Sequence, residues 1–204
     1  ERAGIVDETI IIFTSDNGGE RFSDTWPFTG RKTELLEGGL RIPAIITWPG
    51  KVAPDTTSDQ VMISMDWVPT LLAAGGAIAD PRYPSDGINL MGALYGGKSI
   101  ERTLHWRYLH MLQQACRSGN WKYLKILDNE FLFNVVEDPL ERANLKELKP
   151  EIFDRLKQSY SAWEATMLKL DPAAFTHGYT GAELPDHFGI TNPKMIDGLG
   201  DRNH

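Results

Sequence analysis

Residues 9–14 form an unbroken apolar, β-branched run, Thr-Ile-Ile-Ile-Phe-Thr, with no polar alternation. Such a run predicts a strand buried on both faces, as in a parallel sheet covered by helices. It stops at Ser15-Asp16-Asn17-Gly18-Gly19, a turn-forming cluster, and the polar, glycine-punctuated stretch 20–39 predicts a loop. A second buried strand is predicted over 44–48, closed by Pro49-Gly50. Residues 61–64 predict a short strand. Asp66 is placed to cap a helix starting at Trp67, where Pro69 near the start needs no backbone N–H. Residues 75–99, rich in Gly, Pro and Asp, read as a linker. The pattern then changes. Strands are predicted over 103–111, 114–127 and 131–136, with turns at Ser118-Gly119-Asn120 and Asp128-Asn129, which is the signature of an antiparallel meander. Pro150 opens a helix predicted to reach about residue 169, with Ile152, Phe153, Leu156, Tyr160, Trp163 and Met167 on one stripe. From Pro172 the chain is polar and rich in Gly and Pro. The expected fold class is α/β. A mixed-sheet portion with helices spans 1–98, a small antiparallel subdomain with a packed helix spans 99–170, and a tail spans 171–204.

Charge narrows the function classes. The 204 residues carry a net charge of −7, so no basic field is available to hold nucleic acid or an anionic membrane surface. No apolar run approaches the ~18 residues a membrane-spanning helix needs. An acidic protein that handles an anionic substrate must gather positive charge locally, through a metal and one or two cations. The single cysteine, Cys116, excludes an intrachain disulfide and reads as a small packed residue. The chain opens without Met, directly on a strand pattern, and reads as a longer protein entered midway. The lack of a leader pattern therefore leaves the compartment open, with a periplasmic or secreted parent compatible with it.

Two constellations carry chemistry. Asp16 and Asn17 place a carboxylate and an amide oxygen side by side at the carboxyl end of a predicted strand, where ligand groups gather in open α/β sheets. Those are hard oxygen donors, suited to Ca²⁺ or Mg²⁺, although the same residues also make ordinary turns. Lys32 lies in Gly30-Arg31-Lys32-Thr33-Glu34-Leu35-Leu36-Glu37-Gly38-Gly39-Leu40-Arg41-Ile42-Pro43. A lysine ammonium can meet a sulfate or phosphate oxygen, and the plain alternative is a solvated surface cation.

Taken together, a strand ending in Ser-Asp-Asn-Gly and a lysine five residues before Glu-Gly-Gly-x-Arg-Ile-Pro resemble the type I sulfatases of the alkaline phosphatase superfamily. The likeness continues in one collinear order over roughly residues 5–170. It includes Met65-Asp66-Trp67-Val68-Pro69-Thr70-Leu71-Leu72, Asp86-Gly87, Arg117-Ser118-Gly119-Asn120-Trp121-Lys122-Tyr123, and the segment from Phe131 through Asp138-Pro139-Leu140-Glu141-Arg142-Ala143-Asn144-Leu145. The resemblance implies that this is the C-terminal portion of such a protein. It also implies that Asp16 and Asn17, with two upstream aspartates, ligate a divalent cation, usually Ca²⁺, and that Lys32 contacts the substrate sulfate. Glu37 and Arg41 match positions read as structural, with Glu37 bracing the loop and Arg41 as its partner. The family reaction is attack on sulfur by a formylglycine hydrate, with metal and lysine stabilising the charge on the sulfate oxygens.

The departures weigh equally. The nucleophile motif Cys/Ser-x-Pro-x-Arg does not occur, and the first metal aspartates and an upstream sulfate-facing histidine have no counterpart, so no catalytic nucleophile is assigned in this chain. Leu36 stands where the family usually has an aromatic. His105 and His110 are an odd number apart on a predicted strand, face opposite sides and do not chelate together; they read as packed or solvated, as do His177, His187 and His204 in the tail. The expected parent is a sulfuric ester hydrolase with a small-molecule or glycan sulfate ester as substrate. The alternatives are a phosphonate or phosphate monoester hydrolase of the same superfamily, and a non-catalytic binding module. Without covering elements, the apolar strands near the N-terminus are expected to drive self-association.

Overall fold

The computed structural model describes residues 3–20 and 23–170; the tail from 171, including its three histidines, lies outside the described residues. In chain order the elements are β1 (Ile11–Thr14), α1 (Glu37–Leu40), β2 (Ala44–Thr47), α2 (Trp67–Ala74), α3 (Met91–Leu94), β3 (Thr103–Tyr108), β4 (Gln113–Ser118), β5 (Trp121–Ile126), β6 (Asn129–Asn134) and α4 (Pro150–Glu164). The architecture is mixed α/β with antiparallel sheets and helices. Two compact units form, one from Glu1–Gly18 and Arg41–Arg102, the other from Gly19–Leu40 and Thr103–His204.

In the first unit β1 and β2 pair antiparallel, with Phe13 opposite Ile45 and Ile12 opposite Ile46. The expectation of a strand buried on both faces in a parallel sheet is corrected here. Ile11, Phe13 and Ile45 are exposed, and only Ile12 and Ile46 are half-buried. The apolar run encodes the strand, but its cover must come from other elements, and the run itself cannot say which. Residues 61–64 form no ladder and instead lead into a 3-10 turn over Ser64–Asp66. Asp66 does not cap α2 with its side chain. Fully buried, it accepts hydrogen bonds from the backbone N–H of Ile63 (2.8 Å) and of Ile88 (2.9 Å), and pairs with the Arg102 guanidinium at 2.6 Å. Two amides and a guanidinium compensate a buried carboxylate better than one helix end would. Thr70 continues the tie, its hydroxyl accepting from Leu90 N–H at 3.0 Å.

The second unit is a four-stranded meander in the order β3-β4-β5-β6. The single strand expected over 114–127 is two, because Gly119 takes φ +56° and the chain reverses between Ser118 and Trp121. Side chains alternate between faces, and both faces are covered. On one, Cys116, Tyr123 and Leu132 stand side by side across three strands and pack against Leu156 and Tyr160 of α4, with Ile152, Phe153 and Trp163 at the margin. Helix α4 ends at Glu164 rather than near 169. There Thr166 N–H reaches back to Trp163 O (3.0 Å) and Met167 N–H to Glu164 O (3.0 Å), three residues back, which tightens and closes the last turn.

His105 belongs to this α4-facing side, opposite Cys116 in the β3–β4 register. Its ring stacks on Trp163 at 5.3 Å and its Nε2 lies 3.0 Å from Ser159 Oγ. Burial holds its pKa below the usual histidine value and pushes the Cys116 thiol up to about 11. The fold therefore favours neutral imidazole. Its contribution is present above the unfolded pKa and is lost as pH falls below ~6.5 toward the lower folded value. Urea midpoints measured from pH 8 to 5 should fall on the acid side, and His105→Gln should flatten that part of the slope. An unchanged slope in the variant would assign the acid sensitivity elsewhere.

On the opposite face Ala115, Leu124, Phe133 and Val135 pack against Leu35 and Leu36. The polar segment expected as a loop is thus a second cover for the meander. Leu36 fills this core in place of an aromatic.

Candidate functional site

The turn after β1 presents the first predicted pair. Thr14 Oγ1 donates to Pro43 O at 3.0 Å, closing the strand end, and Ser15 Oγ donates to the backbone O of Asn17 at 2.8 Å. Asp16 is exposed, Asn17 is half-buried and Gly18 is buried. An exposed carboxylate beside an amide oxygen fits Ca²⁺ or Mg²⁺ as part of a donor set. It is only a part: among the described residues no group of three His, Cys, Asp or Glu is placed to hold a metal ion.

Lys32 belongs to the second unit, and Asp16 and Asn17 to the first. Its backbone N–H donates to Gly19 O at 2.8 Å, and its ammonium meets Glu20 at 3.0 Å with 45% of the side chain exposed. An exposed pair of this kind is worth ~0–1 kcal/mol, so an anion can displace the carboxylate. Thr33, the next residue, has φ +79°, which is unusual for a residue with a Cβ. The Glu-Gly-Gly sequence that follows is steric. A Cβ on Gly38 would strike Gly30 O and one on Gly39 would strike Glu34 O, so the segment folds back on itself through backbone contacts that only glycine permits.

Glu37 is buried and its carboxylate pairs with Lys122 (3.1 Å) and Arg117 (3.4 Å), neighbours across β4 and β5. These two strand cations brace the Glu37 carboxylate from the meander. Lys122 has 0% of its side chain exposed and also meets Glu141 at 2.9 Å. The other Glu141 oxygen accepts the Glu37 backbone N–H. Burial raises the Glu141 pKa, opposed by the Lys122 ammonium. The loop carrying Glu141 is shaped by Asp138, whose carboxylate accepts from the N–H groups of Arg142 and Ala143, both at 2.8 Å. Two further ties hold the segment: Gln113 bridges Thr33 O and Leu35 N–H, both at 2.9 Å, and Thr29 Oγ1 donates to Leu140 O.

Sequence reasoning did not find Gln113, Lys122 and Glu141. A signal existed for Lys122, a charged residue in the apolar strand Trp-Lys-Tyr-Leu on the same face as Leu124. For Gln113 and Glu141 no local pattern announces a long-range partner. Cys116 is buried, and burial pushes its thiol up to about 11, the setting of a packed rather than an activated cysteine. His110 lies just beyond β3 in a 3-10 turn, not on the strand as expected.

With this geometry in hand, comparison with known proteins is informative. The family model "Sulfatase" matches residues 1–77. Arylsulfatase A of Bos taurus is 31% identical over 208 aligned positions, covering 86% of this chain and 40% of that protein. Choline-sulfatase of Rhizobium meliloti is 35% identical over 156 positions, covering 72% of this chain and 28% of that protein. The solved structure of the PsFucS1 sulfatase from Pseudoalteromonas sp. superimposes with a TM-score of 0.69 at 28% identity, covering 81% of this chain and 38% of that one. The chain thus spans well under half the length of the relatives it matches. Motifs, family model, relatives and fold agree in relating the chain to the type I sulfatase family of the alkaline phosphatase superfamily.

Proposed function

We propose that this chain is the C-terminal portion of a sulfuric ester hydrolase that cleaves sulfate monoesters, and that it contributes the second half of a cation site and a sulfate-contacting lysine. The observation that carries the reading is Lys32, an exposed ammonium on a backbone clamped to a sheet, collinear with the Asp16-Asn17 turn in a sulfatase-family sequence. In this reading Asp16 and Asn17 hold one side of a Ca²⁺ or Mg²⁺ ion. That ion, when bound, neutralises sulfate charge and polarises its oxygens. Lys32 releases Glu20 and donates to a sulfate oxygen, stabilising the negative charge that grows there as the ester bond breaks. The attacking group comes from outside this chain.

The isolated chain should give no aryl sulfate turnover above background, since charge stabilisation alone supplies no nucleophile. In a protein that also carries the nucleophile-bearing portion, Lys32→Ala and Asp16→Ala should each lower kcat/KM by about a hundredfold or more. Faster turnover of a phosphonate or phosphate ester than of the sulfate would favour the sister activity. If the isolated chain hydrolyses the sulfate and loses that activity on Lys32→Ala, the fragment reading is refuted.

The same reading sets a metal expectation. Ca²⁺ takes about six to eight oxygens, and two side chains offer too few, so calorimetry on the isolated chain should show no binding at micromolar Ca²⁺. Micromolar affinity, lost on Asp16→Ala, would mean that this chain holds a nearly complete site.

A further inference from the structure

Lys32 can act on an anion only if its backbone points the side chain reproducibly, and the structure shows what fixes that backbone. Gln113 opens β4 and is almost completely buried. Both ends of its amide are used: Oε1 accepts the Leu35 N–H at 2.9 Å, and Nε2 donates to Thr33 O at 2.9 Å and to His110 O at 3.1 Å. Thr33 is the residue whose φ of +79° turns the chain immediately after Lys32. A non-glycine residue keeps such a conformation only where its surroundings over-determine it. On the other side, the Lys32 N–H is tied to Gly19 O at 2.8 Å. The peptide before Lys32 is therefore held by one backbone bond, and the two peptides that follow Thr33 are held by one side chain from the meander.

We propose that Gln113 is a positioning residue for Lys32, setting the direction of its ammonium toward the substrate anion through Thr33 and Leu35. This rests on the reading of Lys32 as a sulfate contact. The side chain is specific for the task. It offers an acceptor oxygen and a donor NH2 at the separation that Leu35 N–H and Thr33 O require, whereas Glu offers no donor when ionised, Asn is one carbon shorter, and Met offers neither. A displacement of the order of 1 Å in a charge-stabilising group can cost about a hundredfold in rate.

A double-mutant cycle tests the proposal in the complete protein that carries this chain, with an aryl sulfate as substrate. Gln113→Met should lower kcat about ten- to a hundredfold with a smaller change in KM. In a Lys32→Ala background the same substitution should cost less than twofold, because the group it positions is gone. A role in folding alone would lower activity equally in both backgrounds, and that equal loss overturns the proposal. Gln113→Glu, which keeps the acceptor for Leu35 N–H, goes through the same cycle, so a Gln113→Met that fails to fold leaves the comparison standing. Full activity in Lys32→Ala alone would instead overturn the reading of Lys32, an outcome distinct from additive losses.

Discussion

Lys122→Met should lower the stability of the meander unit by about 3–5 kcal/mol, and most of that loss should return when Glu37→Gln and Glu141→Gln are added. The ammonium of Lys122 has 0% exposure and stands within 3.1 Å of Glu37 and 2.9 Å of Glu141. Removing it leaves two buried carboxylates facing each other, with Arg117 at 3.4 Å from Glu37 as remaining compensation. The cost is that of an uncompensated buried charge, not the worth of the pair. Replacing all three charges with neutral groups removes the desolvation penalty together with the attraction, so the triple variant should approach wild type. The pH dependence separates this cause from simple loss of packing. Burial already raises the Glu141 pKa in the intact protein, and without Lys122 the opposing influence disappears. A carboxyl with a raised folded pKa binds its proton more tightly when folded. Its favourable contribution is complete below the unfolded value near ~4.3 and is lost as pH rises through the folded value. The defect in Lys122→Met should therefore shrink as pH is lowered from 7.5 toward 5. Urea unfolding followed by amide exchange at Tyr123 and Leu124 would measure it. A defect of equal size at both pH values, or a triple variant no better than the single, would show that Lys122 matters only as packed methylenes.

How much of this could be seen in the sequence depended on the range of the interaction. The meander was legible because alternation and turn residues are local: Gly119 and Asp128 mark reversals wherever the strands end up, although the second turn falls at Leu127-Asp128 and Asn129 already opens β6. The stripe on α4 was legible for the same reason, and the helix's two buried residues, Leu156 and Tyr160, lie on it. The chemistry of Asp16, Asn17 and Lys32 marks them as candidates but leaves ordinary explanations open, a turn and a lone lysine, and it is the collinear resemblance that gives them roles. What could not be read was pairing at a distance. The polar spacing of residues 20–39 says loop, yet Leu35, Leu36 and Glu37 are buried in the meander's second face. Their partners lie some eighty or more residues downstream, and no period in the chain connects Glu37 with Lys122 or Leu35 with Gln113. Asp66 shows the same limit. As a helix cap it was a sound local reading, but Arg102 and the Ile88 amide outbid the helix end for its carboxylate.

The isolated chain should self-associate through its first unit at tens of micromolar, and replacing Phe13 and Ile45 together with Ser should return it toward monomer. β1 and β2 form a two-stranded sheet, and Phe13 and Ile45 face each other across it with 65% and 61% exposure, beside Ile11 at 60%. Large apolar side chains clustered on one open face are rarely left in water. Each strand also has one edge with no strand partner among the described residues, so backbone N–H and C=O groups there can template another chain. Burying even ~400 Å² of such surface is worth on the order of 10 kcal/mol at ~25 cal/mol per Å². Lost translational and rotational freedom offsets a large part of that, and the remainder favours a dimer or larger species. Phe13→Ser and Ile45→Ser remove the largest apolar groups from the face without touching the backbone ladder, so they separate face-to-face burial from edge pairing. Recovery of monomer in the double variant assigns association to the face; persistent oligomer with loss of dye binding assigns it to the strand edge. Light scattering with a hydrophobic dye reads both. A wild-type chain that stays monodisperse and monomeric at that concentration and binds no dye would show that the first unit closes over Ile11, Phe13 and Ile45 in solution, and the expectation of association would fail.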